Sequence, residues 1–332
     1  MSQRDASLLW SLCHTIDTQI GERTARSPTG QMTMEFQSAS STFSDIVTGR
    51  ADARALKNHH IVDQLIEERG QTLVKHPLWP IIRPMLYKVL YYGQAVRMAD
   101  EVAEISGIEC FEYISRLLEL DVTVEGKENL PKDGAFILVS NHPTGIADGI
   151  AAYDMIKDVR PDLVFFANRD AIRVSPRLAE IIIPVEWRTT EKSHAKSRET
   201  LVRTSRAFSD GRAIILFPSG RIAYWDKGRL NERPWQATGI QMAKRYNVPV
   251  IPMHMNARNS KLFYLLSHRT PELRDMTVFH ELLNKKGQPF RITIGKPIEP
   301  DTLDGDVQDL TVQLQDHCEH VLREQPTAVF KA

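Results

Sequence analysis

Six short apolar runs, rich in Val, Ile, Leu and Phe, recur along the later part of the chain, at residues 135–140, 163–167, 181–185, 213–217, 248–255 and 290–294. Each has the length of a buried strand. Between them, apolar positions return every three or four residues, as on one face of a helix. Helices are expected at 146–157, 176–180, 192–209, 235–246 and 307–324. Strands alternating with helices predict an α/β domain around a central sheet, spanning residues 121–332. Residues 1–120 read differently. Apolar residues between 61 and 120 keep helical spacing, interrupted at His76-Pro77, Pro80, Pro84 and Gly107, so several short helices should precede the sheet. A short helix is also expected at 6–20, followed by a polar, weakly periodic stretch at 21–44.

Composition narrows the partners. With 332 residues, 42% hydrophobic and 25% charged, the chain can bury a large core. Lys plus Arg equals Asp plus Glu at 42 each, so no overall basic field recommends nucleic acid, and any anion site must be local. Cys13, Cys110 and Cys318 are few and far apart, which fits a reducing cytoplasm better than a disulfide framework. The N-terminus lacks the pattern of a secretory signal, and no apolar run approaches the roughly 18 to 20 residues of a membrane span. A lipid substrate would be met from the cytoplasmic face of the inner membrane. Residues 78–98 mix Trp79, Ile81, Ile82, Met85, Tyr91 and Tyr92 with Arg83, Lys88 and Arg97. That mixture suits an interfacial helix, and equally an amphipathic helix packed on the α/β domain.

The chemistry concentrates in residues 136–149, where a buried strand delivers His142 and a new helix opens beside Asp148. Imidazole is a natural general base because much of it is neutral near pH 7. At about 100° per residue, two positions separated by five others do not share a helix face, so the intervening chain must turn, and Thr144-Gly145 allows that. A carboxylate on Nδ1 would fix the tautomer and aim Nε2 at an acceptor hydroxyl. The plainer alternative is a strand-end histidine that caps a turn, with Asp148 solvated.

Four ordered blocks bear on this choice. They are residues 141–149; 165–169 continuing through 183–188; 216–221; and 248–253. Together they resemble the phospholipid/glycerol (PlsC-like) acyltransferase superfamily, in particular its bacterial hemolysin-like and lyso-ornithine-lipid branch, in which five residues separate His from Asp. Residues 257–264 and 281–287 are similar to stretches typical of that branch. The resemblance covers roughly 120–300. It implies a glycerol-3-phosphate acyltransferase-like fold with a central mixed sheet flanked by helices, and an enzyme that moves a fatty acyl group onto a lipid hydroxyl. His142 and Asp148 would be catalytic. Asn141, Thr144, Gly145, Asn168, Arg169, Arg188, Pro218, Ser219, Gly220 and Arg221 would bind substrate.

One block departs from the common form. Ser219 stands where Glu is usual, and Arg221 directly follows Gly220 instead of lying one residue further on. Glycerol phosphate and lysophosphatidate, the acceptors of phospholipid synthesis, therefore share the field with a lyso-aminolipid; a catalytically silent lipid-binding homologue is a third reading. Ser219 does not meet the G-x-S-x-G pattern, since Phe217 occupies the first glycine position, so no acyl-enzyme on serine is expected. Neither a metal nor a resident cofactor is expected, the acyl-CoA or acyl-carrier-protein thioester being a co-substrate. His317, Cys318 and His320 lack a second ligand group at zinc spacing. Backbone N–H groups within 144–149 or around Gly220 are candidates to hold the oxyanion.

Overall fold

Alternation within the strands decides the layering. In β2 (Phe136–Ser140), Phe136 and Leu138 enter one hydrophobic cluster, while Ile137 and Val139 enter a second. Successive strand side chains point to opposite faces, so a strand apolar throughout must be covered on both. The structure, a computed structural model of the chain, describes residues 59–186 and 193–331. The expected helix at 6–20, the stretch at 21–44, Cys13 and Arg188 lie outside the described residues.

Helices α1 (Ile61–Glu67), α2 (Gln71–Val74), α3 (Trp79–Val89), α4 (Tyr92–Val102) and α5 (Gly107–Leu118) precede a sheet of seven strands. Besides β2 these are β1 (Asp121–Glu125), β3 (Val164–Asn168), β4 (Ile182–Val185), β5 (Ala213–Leu216), β8 (Val250–Asn256) and β9 (Pro289–Ile294), in the order β1-β9-β8-β2-β5-β3-β4. A separate hairpin joins β6 (Tyr224–Asp226) to β7 (Arg229–Asn231). All neighbours in the large sheet run parallel except β8 and β9, so the sheet is mixed, with β1 and β9 opposed to the rest. The six expected strands are present within two residues at each end. The seventh, β1, was not anticipated because its five residues offer only Val122 and Val124 as apolar alternates.

One face of the sheet is covered by Val62 and Ile66 of α1, Cys110 and Leu118 of α5, and Ile150 and Met155 of α6 (Ile146–Ile156). The N-terminal helices thus share a core with the strands. Charge adds to this: Arg69 meets Asp170 at 2.8 Å and Arg173 meets Glu68 at 2.7 Å, joining α1 to α7 (Asp170–Val174), which follows β3. The other face is covered by Phe208 of α8 (His194–Ser209), Ile240 and Ala243 of α9 (Thr238–Tyr246), and a C-terminal helix. Between β8 and β9 lie α10 (Lys261–Arg269), α11 (Pro271–Met276) and α12 (Val278–Leu283), which the apolar periodicity had not separated. The C-terminal helix, expected over 307–324, is α13 (Val307–Asp316) running into a wide π turn at His317–Val321. The 176–180 segment, expected as an α-helix, is a 3-10 turn.

The stretches at 257–264 and 281–287 come together around a buried ion pair. Lys285 Nζ lies 3.0 Å from Glu281 Oε2 and also donates to the Glu281 carbonyl and to Asn284 Oδ1. Glu281 in turn accepts from the N–H and hydroxyl of Ser260, the cap of α10. Removing one member of such a pair leaves a buried charge without compensation. Lys285→Met should therefore cost about 3–5 kcal/mol, and adding Glu281→Gln should recover much of it; denaturant unfolding of the single and double variants measures both.

Candidate active site

Four parallel strands, β2, β3, β5 and β8, end on the same edge of the sheet, where the loops of an open α/β sheet converge. The chain leaves β2 toward one side, to β3, and leaves β5 toward the other, to β8. At the end of β2, Asn141 turns inward. Its amide donates to Met255 O at 2.8 Å and its oxygen accepts from Met255 N at 2.7 Å, which ties β2 to β8 immediately before the histidine.

Gly145 then reverses the chain at φ 96°, a left-handed conformation in which a Cβ would also stand 2.7 Å from Ile222. This turn starts α6 and places Asp148 in its first turn, fully buried, with its carboxylate folded back. Asp148 Oδ2 accepts from Thr144 N at 2.8 Å and Gly145 N at 2.9 Å, and Oδ1 accepts from Thr144 Oγ1 at 2.5 Å. His142 Nδ1 lies 2.9 Å from Asp148 Oδ2. It is a close contact in which the ring N–H is not aimed straight at the oxygen, a common feature of sites without substrate. Phe217 stacks on the imidazole, with ring centroids 4.4 Å apart. The His142 side chain keeps 18% of its surface exposed, so the ring remains approachable.

The remaining expected site residues divide. The polar groups of Asn141, Thr144 and Gly145 are committed within the protein, as above. Asn168 accepts from Asp170 N at 2.9 Å, and Arg169 pairs with Glu199 at 2.8 Å. Pro218 O accepts from Gln236 N, and the Ser219 hydroxyl donates to Arg221 O at 2.8 Å, with no imidazole beside it. Gly220, at φ 60°, and Arg221 are exposed on the rim. The expected oxyanion donors need correction. Thr144 N and Gly145 N are aimed at Asp148, Asp148 N at Gly145 O, and Gly220 N at Phe217 O, so none of these four is available to a substrate oxygen.

Glu232 was missed altogether. It accepts from the backbone N–H of His142, from a position 90 residues away in the chain, and no periodicity or motif marks it. Trp235 is buried and donates its indole N–H to Glu232 at 2.8 Å. His254 is buried with Nδ1 2.9 Å from Cys318 O, and burial pushes it down to about 4. Cys110 and Cys318 are buried thiols pushed up by desolvation, away from thiolate chemistry. Among the described residues no group of three His, Cys, Asp or Glu side chains is arranged to hold a metal ion.

This geometry can now be set beside known proteins. Residues 121–256 match the family described as Acyltransferase. The chain is 29% identical over 205 residues to a lyso-glycine lipid O-acyltransferase of Phocaeicola vulgatus, covering 60% of this chain and 71% of that one. It is 24% identical over 249 residues to a lyso-glycine lipid O-acyltransferase of Bacteroides thetaiotaomicron, covering 73% and 89%. Among solved structures, the 1-acyl-sn-glycerophosphate (LPA) acyltransferase PlsC of Thermotoga maritima aligns over 80% of this chain and 100% of that chain, with a TM-score of 0.43 and 18% identity. The chain carries a domain of the Acyltransferase family over residues 121–256. It is an acyltransferase enzyme of lipid metabolism.

The cradle around Asp148 generates a direct test. Thr144→Val keeps the shape and deletes one donor to a buried carboxylate, so it should cost about 1.5–3 kcal/mol of stability and lower turnover, whereas Thr144→Ser should retain most of both. Thermal unfolding with parallel rate measurements checks it.

Proposed function

We propose that the protein transfers a fatty acyl group from a CoA or acyl-carrier-protein thioester to the free hydroxyl of a lyso-aminolipid, with His142 as general base and Asp148 as its partner. The observation that carries this is the 2.9 Å approach of His142 to a carboxylate already held by three donors, on the edge where strand ends converge. His142 Nε2 takes the acceptor proton as the hydroxyl oxygen attacks the thioester carbonyl. The tetrahedral intermediate then collapses, the C–S bond breaks, and the imidazolium returns the proton to the departing thiolate. Asp148 keeps its charge throughout and stabilises the imidazolium.

Two observations support an amino-acid lipid over glycerol phosphate or lysophosphatidate as acceptor. The two curated relatives above carry lyso-glycine lipid O-acyltransferase names. The third sequence block also has Ser219 in place of the usual glutamate, and moves Arg221 onto the exposed rim, where a guanidinium can present paired donors to a carboxylate head. Arg169, Pro218, Ser219 and Gly220 are the other described residues proposed for the acceptor side. In the assay, purified protein receives an acyl thioester and, in turn, lyso-glycine lipid, lyso-ornithine lipid, lysophosphatidate and glycerol phosphate; thiol release and product mass are measured. Thiol release should depend on the amino-acid lipids, and His142→Ala should lose about 10²–10⁴-fold in rate. Equal release without any acceptor would mean hydrolysis and sink the proposal.

We infer that the enzyme works as a peripheral protein at the inner membrane. Among the described residues no helix is long and apolar enough to cross a membrane. Helix α3 is two-sided: Trp79, Tyr87 and Leu90 at its C-cap are buried, while Leu78, Ile81, Met85 and Val89 are exposed, Ile81 by 74% and Met85 by 76%. Their spacing of three and four places them on one outward face, with Lys88 beside it. Of the aromatic residues expected to anchor the helix, Trp79 is buried and the Tyr92 hydroxyl bonds to Asp63 at 2.7 Å, while Tyr91, just past the helix, is exposed and stacks on His280. Changing Ile81, Met85 and Val89 together to Ser should abolish co-flotation with anionic vesicles without altering the melting temperature. Undiminished flotation would remove this surface from consideration.

A further inference from the structure

Glu232 follows β7 in a run of Arg, Asn and Pro that reads as solvated loop, yet its carboxylate turns inward. One oxygen accepts the backbone N–H of His142, and the other accepts the indole N–H of Trp235 at 2.8 Å. The carbonyl of His142 accepts from Ala223 N at 2.9 Å. Both backbone polar groups of the histidine are therefore held by one excursion, residues 217–235, and not by the sheet. The excursion is itself braced from behind. Trp235 N donates to Gln315 Oε1 at 3.0 Å, and Gln315 Nε2 donates to Arg233 O at 3.2 Å and to Glu319 Oε1 at 2.5 Å.

We propose that Glu232 is a positioning residue, whose two oxygens, one on the His142 N–H and one on the Trp235 indole, set where the imidazole stands relative to the acceptor hydroxyl. The proposal rests on the reading of His142 as the base. An ångström of displacement in a reacting group costs about 10²-fold in rate, so a clamp on the backbone of that very residue has leverage on turnover.

Charge state matters to the clamp. Both partners are donors, so only the ionised carboxylate accepts from both; a protonated carboxyl turns its O–H toward one of them. Although part of the residue reaches solvent, desolvation of the carboxylate pushes Glu232 up to about 7 against the pull of the two donors and of His142. The charged groups facing it are His142, on the loop after β2, and Glu319, on the helix after α13, whose own neighbours are Asp316 and His320. The folded value lies above the ordinary 4.5, so the folded chain loses stability relative to the unfolded one as pH rises from 4.5 through about 7. The clamp is thus formed at the expense of stability.

The test compares Glu232→Gln, Trp235→Phe and His142→Ala with wild type in the full chain, using acyl-CoA and whichever acceptor of the panel turns over, with kcat, KM and melting temperature followed across pH. Glu232→Gln should lower kcat about tenfold or more, leave KM for the thioester within about twofold, and melt no lower than wild type at about pH 8, where wild type carries a buried charge that the variant lacks. The acid limb of its pH profile should be less steep than that of wild type, since Glu232 no longer contributes a proton. A purely structural residue would move melting temperature and activity together. A Glu232→Gln kcat within about twofold of wild type overturns the proposal. Should that variant fail to fold, Trp235→Phe decides: the clamp predicts that deleting one donor moves the acid limb to higher pH, and an unmoved limb overturns it. Transfer retained by His142→Ala would refute the base reading itself, whereas an inactive His142→Ala beside a normal Glu232→Gln refutes the clamp alone.

Discussion

A carboxylate sealed from water needs hydrogen-bond donors, and Asp148 obtains three of them from residues that lie three and four positions earlier in its own chain. That requirement shapes everything around it. The loop must close tightly enough for Thr144 and Gly145 to point both amides at one oxygen, which demands a left-handed residue at Gly145 and a helix beginning at once. With the carboxylate so occupied, its position is not adjustable, and the imidazole must come to it. His142 does so from the end of a strand locked on both sides, by β5 and β8, and by the Asn141 stitch to Met255.

The same economy explains why several polar residues near the centre do not face a substrate. Buried donors and acceptors are satisfied by one another before any ligand arrives. Asn141, Thr144 and Gly145 belong to this internal scaffold, and their contribution to chemistry is indirect. Groups with freedom to meet a substrate lie further out, on the rim that carries Gly220 and Arg221. This separates the rigid His142–Asp148 pair from a more exposed and less constrained rim.

The helices before the sheet join two surfaces with different demands. Inward, Val62, Ile66 and Leu118 extend the core of the α/β domain, and Arg69 and Arg173 fasten α1 to the segment after β3. Outward, α3 leaves an apolar stripe in solvent, an arrangement that carries a cost in water and loses that cost at a lipid surface.

What the sequence determined by itself was whatever is written locally. Six of the seven strands in the large sheet are legible because their apolar runs have the length of a strand and are bounded by turn residues. The His142–Asp148 pair is legible through the four ordered blocks it belongs to, since its spacing alone also suits a histidine that caps a turn. Strand β1, the hairpin, and the three short helices between β8 and β9 carry too few periodic residues to be read. Tertiary structure alone decided that Glu232 reaches His142 across 90 residues, that Lys285 neutralises Glu281 in the interior, and that Trp79 faces in while Ile81 and Met85 face out. Those outcomes depend on which surfaces meet in space, and a polar loop or an amphipathic helix looks the same in sequence whichever neighbour it finds.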